Sequence, residues 1–242
     1  MIQTVDLLAI GAHPDDVELG CAGSILRTIN QGKKAAVIDL TRGELGTRGT
    51  VENRHEEAQS AAAIMGLSAR INMEFKDGFF ENDEKHQLLL IKEIRTFRPS
   101  IVLCNAREDR HIDHPRANQL VNDACFLSGL EKIETVDSNG EIQEAWRPKL
   151  VLEYIQWMDI IPDIILDISE QLEAKIRAVN AYKSQFFNPH STEKETPISS
   201  KNFIESVRYR AQNFGRLIGT EAGEGFTSKS ALSTANLFDL VR

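Results

Sequence analysis

Four short strand-like stretches constrain this chain most: the apolar run Val5 to Ala12, then Lys34 to Thr41, the weaker Arg70 to Phe75, and Ile101 to Cys104. A strand with one wet face alternates apolar and polar residues, whereas continuous runs of this length suit strands buried on both faces, as in a parallel sheet. The stretches between them are long enough to be helices. Leu19, Ala22, Gly23, Leu26 and Ile29 repeat at helical spacing until Gln31-Gly32, and Asp15 or Asp16 can cap that helix. Arg54 to Met65 is closed by Gly66, and Glu84 to Phe97 presents Leu88, Leu89, Ile91, Ile94 and Phe97 on one face before Pro99. The resulting βαβαβαβ order predicts an α/β fold: a mostly parallel sheet with right-handed crossovers and helices on both faces, a three-layer α/β/α sandwich. With strand order 3-2-1-4, the loops leaving strands one and four border one crevice.

The rest is less regular. Pro115 to Leu127 predicts a helix, Glu131 to Trp146 a hairpin or surface excursion, Lys149 to Ile155 and Ile164 to Ile168 strands, and Glu170 to Tyr182 and Phe203 to Ile218 helices. The last helix is followed by Gly219-Thr220-Glu221-Ala222-Gly223-Glu224-Gly225-Phe226 and then a tail. Ser184 to Asn202 reads as a long loop able to serve as a lid. No repeat or linker divides residues 1–242, so a single domain is expected.

A net charge of −8 over 242 residues argues against the clustered positive field that nucleic acid or an anionic membrane requires. Cys21, Cys104 and Cys125 form no CxxC pair and suit buried, reduced thiols. No apolar run approaches the ~20 residues of a membrane span, and no secretory leader is evident. A cytoplasmic protein is expected.

The chemistry concentrates in two segments. Ala12-His13-Pro14-Asp15-Asp16-Val17-Glu18 follows strand one, and His111-Ile112-Asp113-His114 follows strand four. Either alone could be a loop histidine or a helix cap, but the topology brings both to the same crevice. Two imidazoles and one carboxylate leave a metal an open position, so His13, Asp16 and His114 are candidate ligands for zinc; Fe(II) takes the same set. Asp15, adjacent to Asp16 but pointing elsewhere, is the natural general base. His111 is placed to stabilise an oxyanion as a protonated imidazole, and Asp113 to orient His111 or a ligand histidine. A nucleotide-binding module is disfavoured, because no glycine-rich phosphate loop follows strand one and the acids there would repel phosphate.

With these two motifs the chain resembles the LmbE-like/PIG-L superfamily of zinc-dependent N-deacetylases, marked by AHPDDxE and HxDH. The resemblance implies a Rossmann-like fold, hydrolysis of the N-acetyl group of an N-acetylglucosamine conjugate, zinc on His13, Asp16 and His114, and Asp15 as base. The closer likeness is to the deacetylases of N-acetyl-α-D-glucosaminyl L-malate in bacillithiol biosynthesis. It is carried by Glu108-Asp109-Arg110, Tyr182-Lys183-Ser184-Gln185-Phe186 and Gly223-Glu224-Gly225-Phe226. It departs from the common pattern at Ile112, where proline is frequent, and at Asn105-Ala106, where an aromatic often follows the strand.

That likeness implies a small-molecule N-acetylglucosaminide with an anionic aglycone, and a homo-oligomer such as a hexamer. Substrate-binding candidates are Arg54, Arg110, Gln185 and Glu224, since an acidic protein must meet a dicarboxylate with local arginines. Arg48 is expected in surface ion pairing. Chito-oligosaccharides and mycothiol-like precursors are the alternative substrates.

Overall fold

A computed structural model describes residues 4–240. Its centre is a seven-stranded sheet in the order β3-β2-β1-β4-β5-β7-β6. The strands are β1 (Leu7–Gly11), β2 (Ala35–Thr41), β3 (Ala69–Phe75), β4 (Ile101–Asn105), β5 (Leu150–Tyr154), β6 (Ile164–Asp167) and β7 (Gly223–Thr227). The first five are parallel, and β7 pairs antiparallel with both β5 and β6. The helices are α1 (Asp16–Asn30), α2 (Val51–Met65), α3 (Glu84–Phe97), α4 (Asp113–Leu127), α5 (Leu172–Val179) and α6 (Lys201–Ile218).

Strand periodicity sorts the core into two layers. Leu8, Ile10, Ala36, Ile38, Val102 and Cys104 face α3 and α4 through Leu90, Ile94, Leu120 and Val121. Their neighbours Leu7, Ala9, Ala35, Val37 and Leu103 face the opposite way, onto Val17, Cys21, Ala22 and Ile25 of α1. Each such aliphatic side chain removed from water contributes about 1.5–3 kcal/mol, so both layers are needed to hold β1 and β4 side by side. The expected three-layer sandwich and its 3-2-1-4 core are present.

Three expectations change. The Gly223 segment, which the sequence left without an element, is a strand inside the sheet: a Cβ built on Gly223 would lie 2.6 Å from Ile165 and one on Gly225 2.9 Å from the Phe214 ring. Its glycines admit neighbours at close approach, which removes the β-branched signal of a strand. The helix expected over 170–182 is a 3-10 turn at Ser169–Gln171 followed by the eight-residue α5, and Tyr182 turns inward to become fully buried. Neither Asp15 nor Asp16 caps α1 with its side chain.

Helix α1 breaks at Cys21, whose φ of −147° and ψ of 17° are not helical. Just before the break, Gly20 lies under the ring of Tyr154, and an added Cβ would stand 2.2 Å from Cδ2. Tyr154 is anchored by its hydroxyl, which donates to Ile10 O at 3.1 Å. Gly20→Ala should therefore destabilise the fold by about 1–3 kcal/mol, as overpacking does. Urea unfolding that shows no loss would mean that the ring moves freely.

Among the described residues no helix is long and apolar enough to cross a membrane. The 136–142 excursion closes as a small antiparallel bridge between Val136 and Ile142.

Candidate metal centre and active site

At the C-terminal ends of β1 and β4 the two loops are joined directly. The Ala12 N–H donates to Asn105 Oδ1 at 2.9 Å, while Asn105 Nδ2 donates to Asp16 Oδ2 at 3.1 Å. The Ala12 carbonyl accepts from the Thr41 hydroxyl at the end of β2. Asn105, which departs from the resembled pattern, thus ties the first motif to the end of β4.

Asp16 lies between two imidazoles. Its Oδ1 is 3.2 Å from His114 Nε2, and its Oδ2 is 3.6 Å from His13 Nδ1. Gln156, beyond β5, donates to Asp16 Oδ1 at 2.8 Å. The remote nitrogens of both imidazoles also meet carboxylates. His114 Nδ1 is 3.0 Å from Asp109 Oδ2, and His13 Nε2 is 3.1 Å from Asp77 Oδ1 and 3.3 Å from Asp113 Oδ2. A carboxylate on the far nitrogen fixes the tautomer and leaves the near lone pair free for a cation.

The charge balance has the same direction. Asp15 is paired with Arg54, and Asp113 with Arg116. Asp16, Asp77 and Asp109 have imidazoles as their only ion-pair partners among the described residues. Burial works against ionising Asp16, but His114 and His13 outweigh it and hold its carboxyl well below the usual range. Asp77 is likewise brought down to about 2 against its burial, chiefly by His13. Burial disfavours the charged imidazoles, yet Asp113, Asp16 and Asp77 raise His13 well above its ordinary value, and Asp16 and Asp109 raise His114 to about 9. The pocket therefore calls for positive charge, which two protons or one divalent cation can supply. The residues fit a cation: His13, His111 and His114 bring ring nitrogens within 4.8 Å of one another, with Asp16 against two of them.

Asp15 differs from its neighbour. Its φ of 119° is a conformation that costs a non-glycine residue energy, as strained functional positions do. Burial raises its carboxyl to about 7, with the Arg54 guanidinium pulling the other way. Arg54 Nη2 donates to Asp15 Oδ2 at 2.9 Å and to Pro14 O at 2.7 Å. Arg54 is thus turned onto Asp15, not out to a substrate as expected.

His111 is half-buried, with its ring centroid 4.6 Å from that of His13. Burial, then the neighbouring His13 and His114 imidazoles, lower its pKa from the ordinary value. Its Nδ1 accepts the Asp113 N–H at 3.3 Å, so the proton resides on Nε2 and can still be donated. Asp113 contacts His13, and its backbone contacts His111.

The remaining candidates separate. Arg110 is exposed beside His111, its guanidinium 4.6 Å above the Trp157 ring, which stacks on Phe203. Gln185 is buried and donates to Arg48 O and to Ser184 Oγ. Glu224 is buried too: its carboxylate accepts from Gly23 N, Ser24 N and Ser24 Oγ and pairs with Lys175 at 2.6 Å. With every one of these contacts internal, Glu224 is a fold anchor and not a substrate ligand. Arg48, expected in surface ion pairing, does pair with the exposed Glu193 at 3.5 Å, but from a position only 4% exposed. It donates to Ser191 Oγ at 2.6 Å, and the adjacent Gly49 N–H donates to Glu193. These contacts tie the 184–202 loop to the glycine-bearing loop after β2.

Sequence reasoning missed Asp77, Asp109 and Gln156. Asp109 stood in a quoted segment without a role, Asp77 in a turn, and Gln156 after a strand with no motif around it.

Comparison with known proteins agrees with this geometry. Residues 8–125 match the family model PIG-L, GlcNAc-PI de-N-acetylase. The chain is 45% identical over 186 residues to the uncharacterized deacetylase YaiS of Escherichia coli K12, covering 74% of this chain and 90% of that protein. It is 27% identical over 190 residues to the diacetylchitobiose deacetylase of Thermococcus kodakarensis, covering 74% and 70%. Among solved structures, the conserved protein TT1542 from Thermus thermophilus superposes with a TM-score of 0.83 at 32% identity, over 96% of this chain and 98% of that one. The chain belongs to the PIG-L family of de-N-acetylases.

Proposed function

We propose that this protein is a zinc-dependent hydrolase that removes the N-acetyl group from an N-acetylglucosamine conjugate. The observation that carries the reading is the pair of imidazoles, each backed by a carboxylate, converging on buried Asp16 beside a separately held Asp15. His13, Asp16 and His114 would hold the metal, and Fe(II) is chemically compatible with the same donors. When bound, the ion supplies Lewis acidity towards the amide carbonyl and acidifies a water.

Asp15 accepts the proton of the attacking water as its oxygen adds to the carbonyl carbon. His111 donates from Nε2 to the oxygen on which charge develops. The C–N bond then breaks, the proton held by Asp15 passes to the departing nitrogen, and acetate and the free amine result. Asp113 and Asp109 hold the ligand imidazoles in place.

For the aglycone, we favour an anion such as the malate of N-acetyl-α-D-glucosaminyl L-malate. Arg110 beside His111 supports this, because its guanidinium is stacked on Trp157 and has no carboxylate partner among the described residues. A neutral chito-oligosaccharide is the second reading, favoured by the likeness to a diacetylchitobiose deacetylase; a mycothiol-like precursor is a third.

The test is acetate release from the malate, chitobiose and inositol conjugates, with zinc-loaded and chelator-stripped protein. Loss on stripping with recovery on zinc addition is expected. Equal turnover by stripped protein would overturn the metal reading. Arg110→Ala should lower kcat/KM for the malate conjugate by about 10–100-fold, as expected for the loss of one charged hydrogen-bonded contact, with the chitobiose rate nearly unchanged. An equal loss on both substrates would remove the anionic assignment.

A further inference from the structure

Asp77 lies in the turn after β3, far in sequence from both motifs, yet its carboxylate is buried against the site. Its two oxygens are used differently. Oδ1 is 3.1 Å from His13 Nε2, and Oδ2 accepts the Leu45 N–H at 2.9 Å. The Asp77 N–H in turn donates to Glu44 Oε1 at 2.9 Å. One carboxylate therefore joins a candidate metal ligand to the glycine-bearing loop after β2.

Asp113 meets the same nitrogen, but under different constraints. Its Oδ2 also accepts the Gly78 N–H, and its Oδ1 is taken by Arg116. Part of its charge is thus neutralised elsewhere. Asp77 has no lysine or arginine partner among the described residues, so His13 is its only ion-pair partner there. A carboxylate facing Nε2 keeps the proton on that nitrogen, orients the ring and enriches the opposite nitrogen in electron density. The opposite nitrogen, Nδ1, faces Asp16.

We propose that Asp77 is a positioning residue for the metal centre: it fixes the His13 ring with Nδ1 towards the ion, and holds the Glu44-Leu45 segment to that same ring. The inference rests on the metal reading above. It assigns to a turn residue outside both motifs a share of the site's metal affinity.

The experiment is a titration of zinc alone against a chromophoric chelator, on wild type, Asp77→Asn and Asp77→Ala, with thermal unfolding of each metal-free protein alongside. Asparagine keeps the shape and an acceptor for Leu45 but carries no charge towards His13; alanine removes both contacts. Zinc Kd should rise about 10–100-fold in Asp77→Asn, as for other outer carboxylates of metal-bound histidines, and at least as far in Asp77→Ala. The metal-free Asp77→Asn midpoint should stay near that of wild type. A zinc Kd for Asp77→Asn within twofold of wild type, with a lowered metal-free midpoint, would make Asp77 a loop tether only and overturn the proposal. Failure of wild type itself to bind zinc in this titration would overturn the metal reading and the inference with it. The two failures are thus told apart by the wild-type curve.

Discussion

Asp15→Asn should lower kcat for acetate release by about 10²–10⁴-fold, the range for losing a positioned general base. The effect should fall on kcat with little change in KM, because the proton is transferred only on the way to the transition state. Two features favour this residue, and not Asp16, as the proposed base. Asp16 is fixed between His114 and His13 and held strongly ionised, so it cannot take and release a proton near neutrality. Asp15 has its carboxyl raised to about 7 by burial, with Arg54 limiting the rise. A base must start unprotonated, so activity should increase with pH through this ionisation. Arg54→Gln removes the cation that favours the charged form, and should move the acidic limb to higher pH. Zinc binding by Asp15→Asn should match wild type, since none of its changed atoms belongs to the proposed donors. Activity within tenfold of wild type in the zinc-loaded variant would show that another group moves the proton.

The parts legible in the sequence are those made by local chemistry. β1, β2 and β4 announce themselves as largely apolar runs because both faces are covered, and topology alone brings His13 and His114 together at their ends. The second half of the sheet was harder because its signals are inverted. β7 is built from Gly223 and Gly225, which are there to admit Ile165 and Phe214, so a buried strand carries no strand signal. Charge was misplaced for a related reason. Composition implies that arginines meet the substrate, but Arg54 is spent inside, on Asp15. Asp77 and Asp109 act on the far side of each imidazole. Such outer contacts require only a carboxylate at the right point in space, and no spacing rule marks them.

Glu224→Ala should cost about 3–5 kcal/mol of stability, the penalty for breaking a buried ion pair from one side. The reason lies in α1. Its break at Cys21 creates an internal helix start, whose first N–H groups, among them those of Gly23 and Ser24, need acceptors from elsewhere. Glu224, two hundred residues later, supplies the acceptor for both, at 2.9 and 2.7 Å, and also accepts the Ser24 hydroxyl. Its negative charge sits at the positive end of the second helical segment, where the macrodipole favours it. Lys175 Nζ completes the group, bonding Glu224 at 2.6 Å and Leu19 O at 2.8 Å. Alanine would leave a buried ammonium and two buried amides without their acceptor. At about 2–4 °C per kcal/mol for a chain of this size, the unfolding midpoint should fall by roughly 10 °C. Lys175→Met in the same background should recover part of that loss, because it removes the stranded charge, but not all, because the α1 amides stay unmet. A Glu224→Ala protein as stable as wild type, yet weakened in KM, would return Glu224 to the substrate side; lost stability with KM unchanged places it in the fold, where it lets α1 bend while β7 stays locked against β5 and β6.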